Sequence, residues 1–292
     1  VLLKQHSRLN SYHNQTLKRD IMNIIKFIES FTNEGMINSL TNKGSRRDSL
    51  LQFQKMGSTA AMAAVPLGLA ALLTPNKANA SITSFLGTTA TPTSALQLAL
   101  TLEYLEDEFY DMALSANGLI PAADRDIIAQ ISKHENAHVA FLKSALAADA
   151  PSKPTFDFTV GGAFDPFGDY PTFLALSQAF EDTGVRAYKG QAGNLISNGD
   201  LLTAALQIHS VEAMHASQIR RLRGQKGWIV GNDRGGLPAA AQPVYDGEEN
   251  AIQAGFNTSG VNGIPAGAGP ESFDEPITGD QAVSIASLFI VG

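Results

Sequence analysis

Between residues 201 and 223 apolar side chains recur at intervals of three and four. Leu201, Ala205, Ile208, Ile219 and Leu222 fall on one stripe of a helix. Continuing the same steps from Ile208 lands on Glu212 and His215, so a carboxylate and an imidazole stand where a bundle helix normally carries Leu. A buried charge without a partner costs several kcal/mol, and a metal ion is an economical partner for such a pair. The Glu-x-x-His spacing puts both donors on one face, one turn apart.

The same device occurs earlier. Ile128, Ile131, Leu142 and Ala145 mark the stripe of another helix, and the places between them hold Glu135 and His138. Two further helical stretches each carry one carboxylate on the stripe, Glu103 after Leu96 and Leu100, and Glu181 after Leu174 and Ser177. Each is followed two turns later by a tyrosine, Tyr110 or Tyr188. Offsets of 78 residues relate Glu103 to Glu181 and Tyr110 to Tyr188; offsets of 77 relate Glu135 to Glu212 and His138 to His215. This is an internal repeat of a helix pair.

Four inward carboxylates, two of them in Glu-x-x-His pairs on separate helices, form the ligand set of a two-metal carboxylate site in a four-helix bundle. The sequence predicts Glu103, Glu135, His138, Glu181, Glu212 and His215 as metal ligands. On these residues the chain resembles the ferritin-like superfamily, and the run LALTLEYLEDEFY (98–110) is similar to the first helix of its desiccation-related branch. The resemblance covers about 95–223. It implies an all-α fold, a ferritin-like four-helix bundle made of two antiparallel hairpins joined by a long crossover. It also implies peroxide or dioxygen chemistry, catalase-like or ferroxidase-like, in a setting of oxidative or drying stress. The alternative is a structural or metal-binding stress protein without turnover.

Around the ligands, Tyr110 and Tyr188 are expected to set a hydroxyl against a carboxylate or imidazole, as groups that orient metal ligands do. Glu106, one turn beyond Glu103, is expected next to the ligands or at the surface, because its repeat counterpart is Gly184. His209, one turn before Glu212, is a further candidate to support a ligand, although its counterpart is Ser132. His134 is turned about 100° from Glu135 and is expected to point outward. Arg220, Arg221 and Arg223 suit the negative end of their helix.

Composition narrows the chemistry. The chain has no cysteine, which removes thiolate zinc sites and iron–sulfur clusters, so a metal must be held by oxygen and nitrogen. Carboxylates with some imidazole suit two divalent ions of iron or manganese, whose charge four carboxylates would neutralise. A net charge of −7 argues against nucleic acid as a partner. Metal ions and peroxide or dioxygen are the expected partners, and homo-oligomer formation is left open.

Taken in order, the first stretch begins with Val, and either Met22 or Met36 is the true start or the stretch is a long leader. Ser45-Arg46-Arg47-Asp48-Ser49-Leu50-Leu51, an apolar stretch over 57–73 and Ala78-Asn79-Ala80 read as a twin-arginine export signal within a leader at 1–80. Removal before Ser81 would leave a periplasmic or extracellular protein with no stable membrane insertion. A linker at 81–94 precedes the bundle at 95–223, with Ser94 expected to cap the first helix, Pro121 to open the second, Pro171 the third and Asp200 to cap the fourth. Residues 151–170 are expected to form the crossover. The extension at 224–292 reads as coil wrapping the bundle, anchored by Trp228, with a short apolar helix over about 280–290.

Overall fold

The computed structural model describes residues 91–263 and 265–291, so the expected leader and nearly all of the linker lie outside the described residues. Four long helices carry the fold: α1 (Pro92–Ser115), α2 (Arg125–Leu146), α3 (Tyr170–Gln191) and α4 (Gly199–Leu222). The starts of α1, α3 and α4 are set by a side chain that satisfies free backbone donors, that of α2 by a backbone turn, and all four differ from the expected positions by a few residues.

Thr91, not Ser94, caps α1: the Ser94 amide donates to Thr91 Oγ1 at 3.1 Å and the Thr91 amide to Ser94 Oγ at 2.9 Å. Ser94 is thus the third helical residue of a reciprocal capping box, with Pro92 in the first turn. Helix α2 opens at Arg125 rather than Pro121. Leu119 and Ile120 are buried, and the chain turns over the Pro121 carbonyl, which accepts from the amides of Asp124 and Arg125 at 3.0 and 3.1 Å. The Asp124 carboxylate accepts instead from the Tyr170 hydroxyl, which ties this turn to the start of α3. Asp169 caps α3 through the Thr172 amide. Helix α3 stops at Gln191 and a 3-10 turn, Ala192–Leu195, leads to α4. Asn198, not Asp200, caps α4, because its Oδ1 reaches the Leu201 amide at 3.1 Å; Asp200 sits in the first turn, where the helix dipole favours it.

Helix α1 packs along α2, and α3 along α4; the two hairpins meet where α1 lies against α3. Two apolar clusters fill the bundle. One gathers Ala95, Leu96, Leu100, Leu142, Ala205 and Ile208 at the end where α1 and α4 begin. The larger one lies toward the other end and joins Leu105, Phe109, Ile128, Phe173 and Ile219 to the crossover and the C-terminal extension. Phe109 is its centre, with the rings of Phe158, Phe167, Phe173 and Phe180 all 5.0–5.5 Å away. The expected irregular crossover is therefore held down by its own phenylalanines.

The extension is ordered by burial of particular groups. A short strand in the crossover, β1 (Thr155–Phe156), pairs antiparallel with β4 (Ile290–Val291), while β2 (Ile252–Gln253) and β3 (Phe256–Asn257) form a small hairpin between them. The terminal helix α5 (Gly279–Ala286) is capped by Thr278 and covers α1 and α3. Gly190 permits this approach: a Cβ there would stand 1.9 Å from the Ile277 carbonyl oxygen. Trp228, the expected anchor, is 45% exposed and donates its Nε1–H to Glu271 on the surface. The anchors are Tyr245 and Arg186. Tyr245 is fully buried and donates to Asp182 at 2.8 Å. Arg186, on α3, pairs with Glu248 at 2.7 Å and donates to the carbonyls of Val244, Asp246 and Glu275. Arg220 and Arg223 do more than meet a helix dipole: Arg220 pairs with buried Asp182, and Arg223 donates to Gln178 and the Gly235 carbonyl.

Removing one partner of a buried ion pair strands the other charge. Arg186→Ala should destabilise the protein by roughly 3–5 kcal/mol. The double change Arg186→Ala with Glu248→Gln should lose less than the single one, as read by chemical denaturation.

Candidate metal centre

All four long helices contribute to one buried polar layer between the two apolar clusters. Glu103 comes from α1, Glu135 and His138 from α2, Glu181 from α3, and Glu212 and His215 from α4. The structure brings together all six residues predicted as ligands. Donor atoms of Glu103, Glu135, His138 and Glu212 lie within 4.8 Å of one another, and so do those of Glu135, Glu181, Glu212 and His215. The two groups share Glu135 and Glu212, the carboxylates of the two Glu-x-x-His pairs. Each group adds one carboxylate of its own and one imidazole.

The carboxylates are fully buried. His138 Nδ1 stands 3.2 Å from Glu103, 3.2 Å from Glu135 and 3.1 Å from Glu212. His215 Nδ1 stands 2.8 Å from Glu135 Oε1 and 3.3 Å from Glu181 Oε2. Yet Glu135 Oε1, Glu181 Oε2, both Glu212 oxygens and His215 Nδ1 take no properly directed hydrogen bond. Charged atoms sealed from water and aimed at a shared space are expensive unless a cation joins them. The donor set therefore fits metal binding, with Glu135 and Glu212 common to both groups.

The tyrosines cross between hairpins. Tyr110 on α1 donates to Glu181 on α3, and Tyr188 on α3 donates to Glu103 on α1, both at 2.5 Å. Each hydroxyl thus orients the unshared carboxylate of the opposite hairpin, and burial beside that carboxylate pushes both phenols well above their ordinary range. Glu106 is buried, not at the surface. A Cβ at position 184 would lie 3.3 Å from Glu106 Oε1 and 3.3 Å from Glu212 Oε2. Glycine as the repeat partner of Glu106 leaves the carboxyls of Glu106 and Glu212 room that a Cβ would narrow by a few tenths of an ångström. Glu106 also borders a small cavity with Leu102, Leu105, Phe180, Thr183, Ile285 and Ala286.

Two histidines depart from expectation. His209 has no hydrogen bond or ion pair with the ligand cluster; its Nδ1 meets the Val185 carbonyl at 2.9 Å and ties α4 to α3. One turn before Glu212, it faces the α3 backbone instead of the polar layer. His134 is not outward. It is half-buried, with Nδ1 2.9 Å from His215 Nε2 and its ring stacked on that of His215. The turn of 100° from Glu135 carries it toward α4, a direction that helix periodicity leaves undefined until the neighbouring helix is placed.

Burial alone would lower the imidazole pKa values, but the surrounding carboxylates outweigh it and hold His138 at about 12 and His215 at about 11. Burial pushes Glu135 up to about 7 despite the two histidines beside it, and lifts Glu106 and Glu212 well above the carboxylate range with help from their acidic neighbours. Without metal, all these groups hold protons more tightly folded than unfolded. For Glu135 that stability is present below about pH 4.5 and lost as pH rises through about 7; for the histidines it is present below about 6.5 and lost on approach to 11–12. Chelator-treated protein should therefore melt progressively lower from pH 5 to pH 9, and Glu135→Gln should flatten the segment below pH 7. Thermal melts across that range check the sign.

Residues 91–225 match the family model of the ferritin-like domain. No curated protein matches the chain. Two helix hairpins and a buried Glu/His centre fed by all four helices lie within that matched segment, so fold, polar layer and family model agree in likening residues 91–225 to a ferritin-like domain.

Proposed function

We propose that this protein is an exported dimetal-carboxylate protein that reacts with hydrogen peroxide or dioxygen, catalase-like or ferroxidase-like, and protects against oxidative or drying stress. The observation that carries this reading is the pair of four-residue donor groups sharing Glu135 and Glu212. Glu103 and His138 would complete one half, Glu181 and His215 the other. Two iron or manganese ions held there would together exchange the two electrons that peroxide chemistry requires.

The chain's own residues fit that role. Tyr110 and Tyr188 hold the unshared carboxylates in place through their hydroxyls. Burial and the neighbouring carboxylates raise the Glu106 pKa well above the ordinary carboxylate range, which favours a proton on this carboxyl beside the cavity. That cavity measures about 10 Å³, room for one water-sized molecule. Its walls of Leu, Phe, Ile and Ala would exclude an organic substrate, which favours peroxide or dioxygen. The stress setting and export rest on the sequence: the likeness of 98–110 to the desiccation-related branch, and the twin arginines Arg46 and Arg47 ahead of an apolar stretch and Ala78-Asn79-Ala80.

Mass spectrometry of purified protein should find two ions per chain, with oxygen evolved from peroxide. Glu212→Ala or His215→Ala should lower the metal count toward one or none and abolish turnover. Glu106→Gln should keep both ions and slow turnover about 10²-fold or more, as loss of a proton donor does. Full metal loading of the Glu212 and His215 variants would point to a bundle without a metal function. For export, replacing both Arg46 and Arg47 by Lys should leave a longer precursor in the cytoplasm; unchanged export would sink that part of the reading.

A further inference from the structure

The two halves of the centre are alike in their ligands but not in what stands behind them. His138 and His215 occupy equivalent places in the repeat, and both turn Nδ1 toward the carboxylates. Behind His215, Nε2 lies 2.9 Å from His134 Nδ1, the rings are 5.2 Å apart and within 15° of parallel, and His134 Nε2 meets the Gln130 side-chain amide at 2.7 Å. Behind His138 there is no such partner: among the described residues its Nε2 takes no hydrogen bond. The repeat explains the difference. The offset of 77 that carries His138 to His215 carries His134 to Val211, whose side chain has nothing to donate or accept.

We propose that His134 is a positioning residue that makes the centre load its two ions unequally, the His215 half first. This rests on the dimetal reading above. An imidazole that gives Nδ1 to a cation must carry its proton on Nε2. With the Gln130 amide turned so that its oxygen takes the His134 Nε2–H, His134 Nδ1 is left to accept that proton's hydrogen bond, and the tautomer and ring plane of His215 are set before an ion arrives. His138 must find both when the ion binds. Outer partners of metal-bound histidines typically change affinity by about 10–100-fold, and with equal donor sets that is the expected gap between the two binding steps.

The test uses the full chain, stripped of metal, titrated anaerobically with Co(II) and followed by calorimetry and by the visible bands of the bound ion. Wild type should show two steps separated by about 10–100-fold. His134→Leu should weaken the tighter step by about that factor and shift the bands of the first ion, while the weaker step stays in place. His134→Asn, which returns a polar group near the Nδ1 position, should recover most of the loss. Val211→His should strengthen the weaker step by supplying His138 with the partner that His215 already has. Metal-free melts of each variant control for folding. Equal steps in wild type, or a His134→Leu titration that overlays wild type, would overturn the proposal and leave the dimetal reading standing. Uptake of fewer than two ions by wild type would instead overturn the dimetal reading, and this inference with it.

Discussion

Four carboxylates fully buried in the middle of an apolar bundle are the constraint on which the rest of this structure depends. Their mutual repulsion and lost hydration would cost more than a domain of this size has in reserve, unless cations, protons or imidazolium groups share the layer. Every feature around them reads as an answer to that cost. The imidazoles sit at 2.8–3.3 Å from them, two tyrosine hydroxyls reach across from the opposite hairpin, and leucines and aromatics above and below hold the helices in register. The apolar clusters keep the layer in place whatever occupies it, which lets the site be polar without making the fold depend on it alone.

The repeat gives this layer an approximate twofold relation, and its departures from symmetry are where function can differ between halves. Tyr110 and Tyr188 obey it, each serving the other hairpin. Glu106 and Gly184 break it in size, since the two positions face the same space and a Cβ at 184 would stand close to the carboxyls of Glu106 and Glu212. His134 and Val211 break it in polarity, leaving one histidine of the layer backed and the other not. One break places a carboxyl beside a water-sized cavity; the other lies behind His215, on the α2–α4 side.

The C-terminal extension belongs to the same energetic unit. Arg186 and Asp182 flank the centre on α3, and both are buried by groups from the extension, Glu248 and Tyr245, so folding the extension is what makes those charges tolerable. Helix α5 then closes the cavity beside Glu106 with Ile285 and Ala286. The outer wall of the cavity is supplied by residues more than a hundred positions beyond it in the chain.

Periodicity alone was enough to find four helices, two hairpins and the six residues of the polar layer, because a residue's place on a helix stripe is a local property and a repeat at matched offsets fixes which stripes face one core. It was enough for the tyrosines as well, though not for the hairpin each would serve. Helix starts moved by one to four residues, since the contest among Thr91 and Ser94, or Asn198 and Asp200, is settled by which oxygen reaches an amide at about 3 Å. The direction of His134 and His209 depends on where the neighbouring helix lies, which spacing along one helix does not specify. The exposure of Trp228 and the burial of Arg186 are not legible in the sequence for one reason: burial of a large or charged side chain depends on segments far away in sequence, here on Val244, Glu248 and Glu275 arriving to meet an arginine that no local pattern marks as buried.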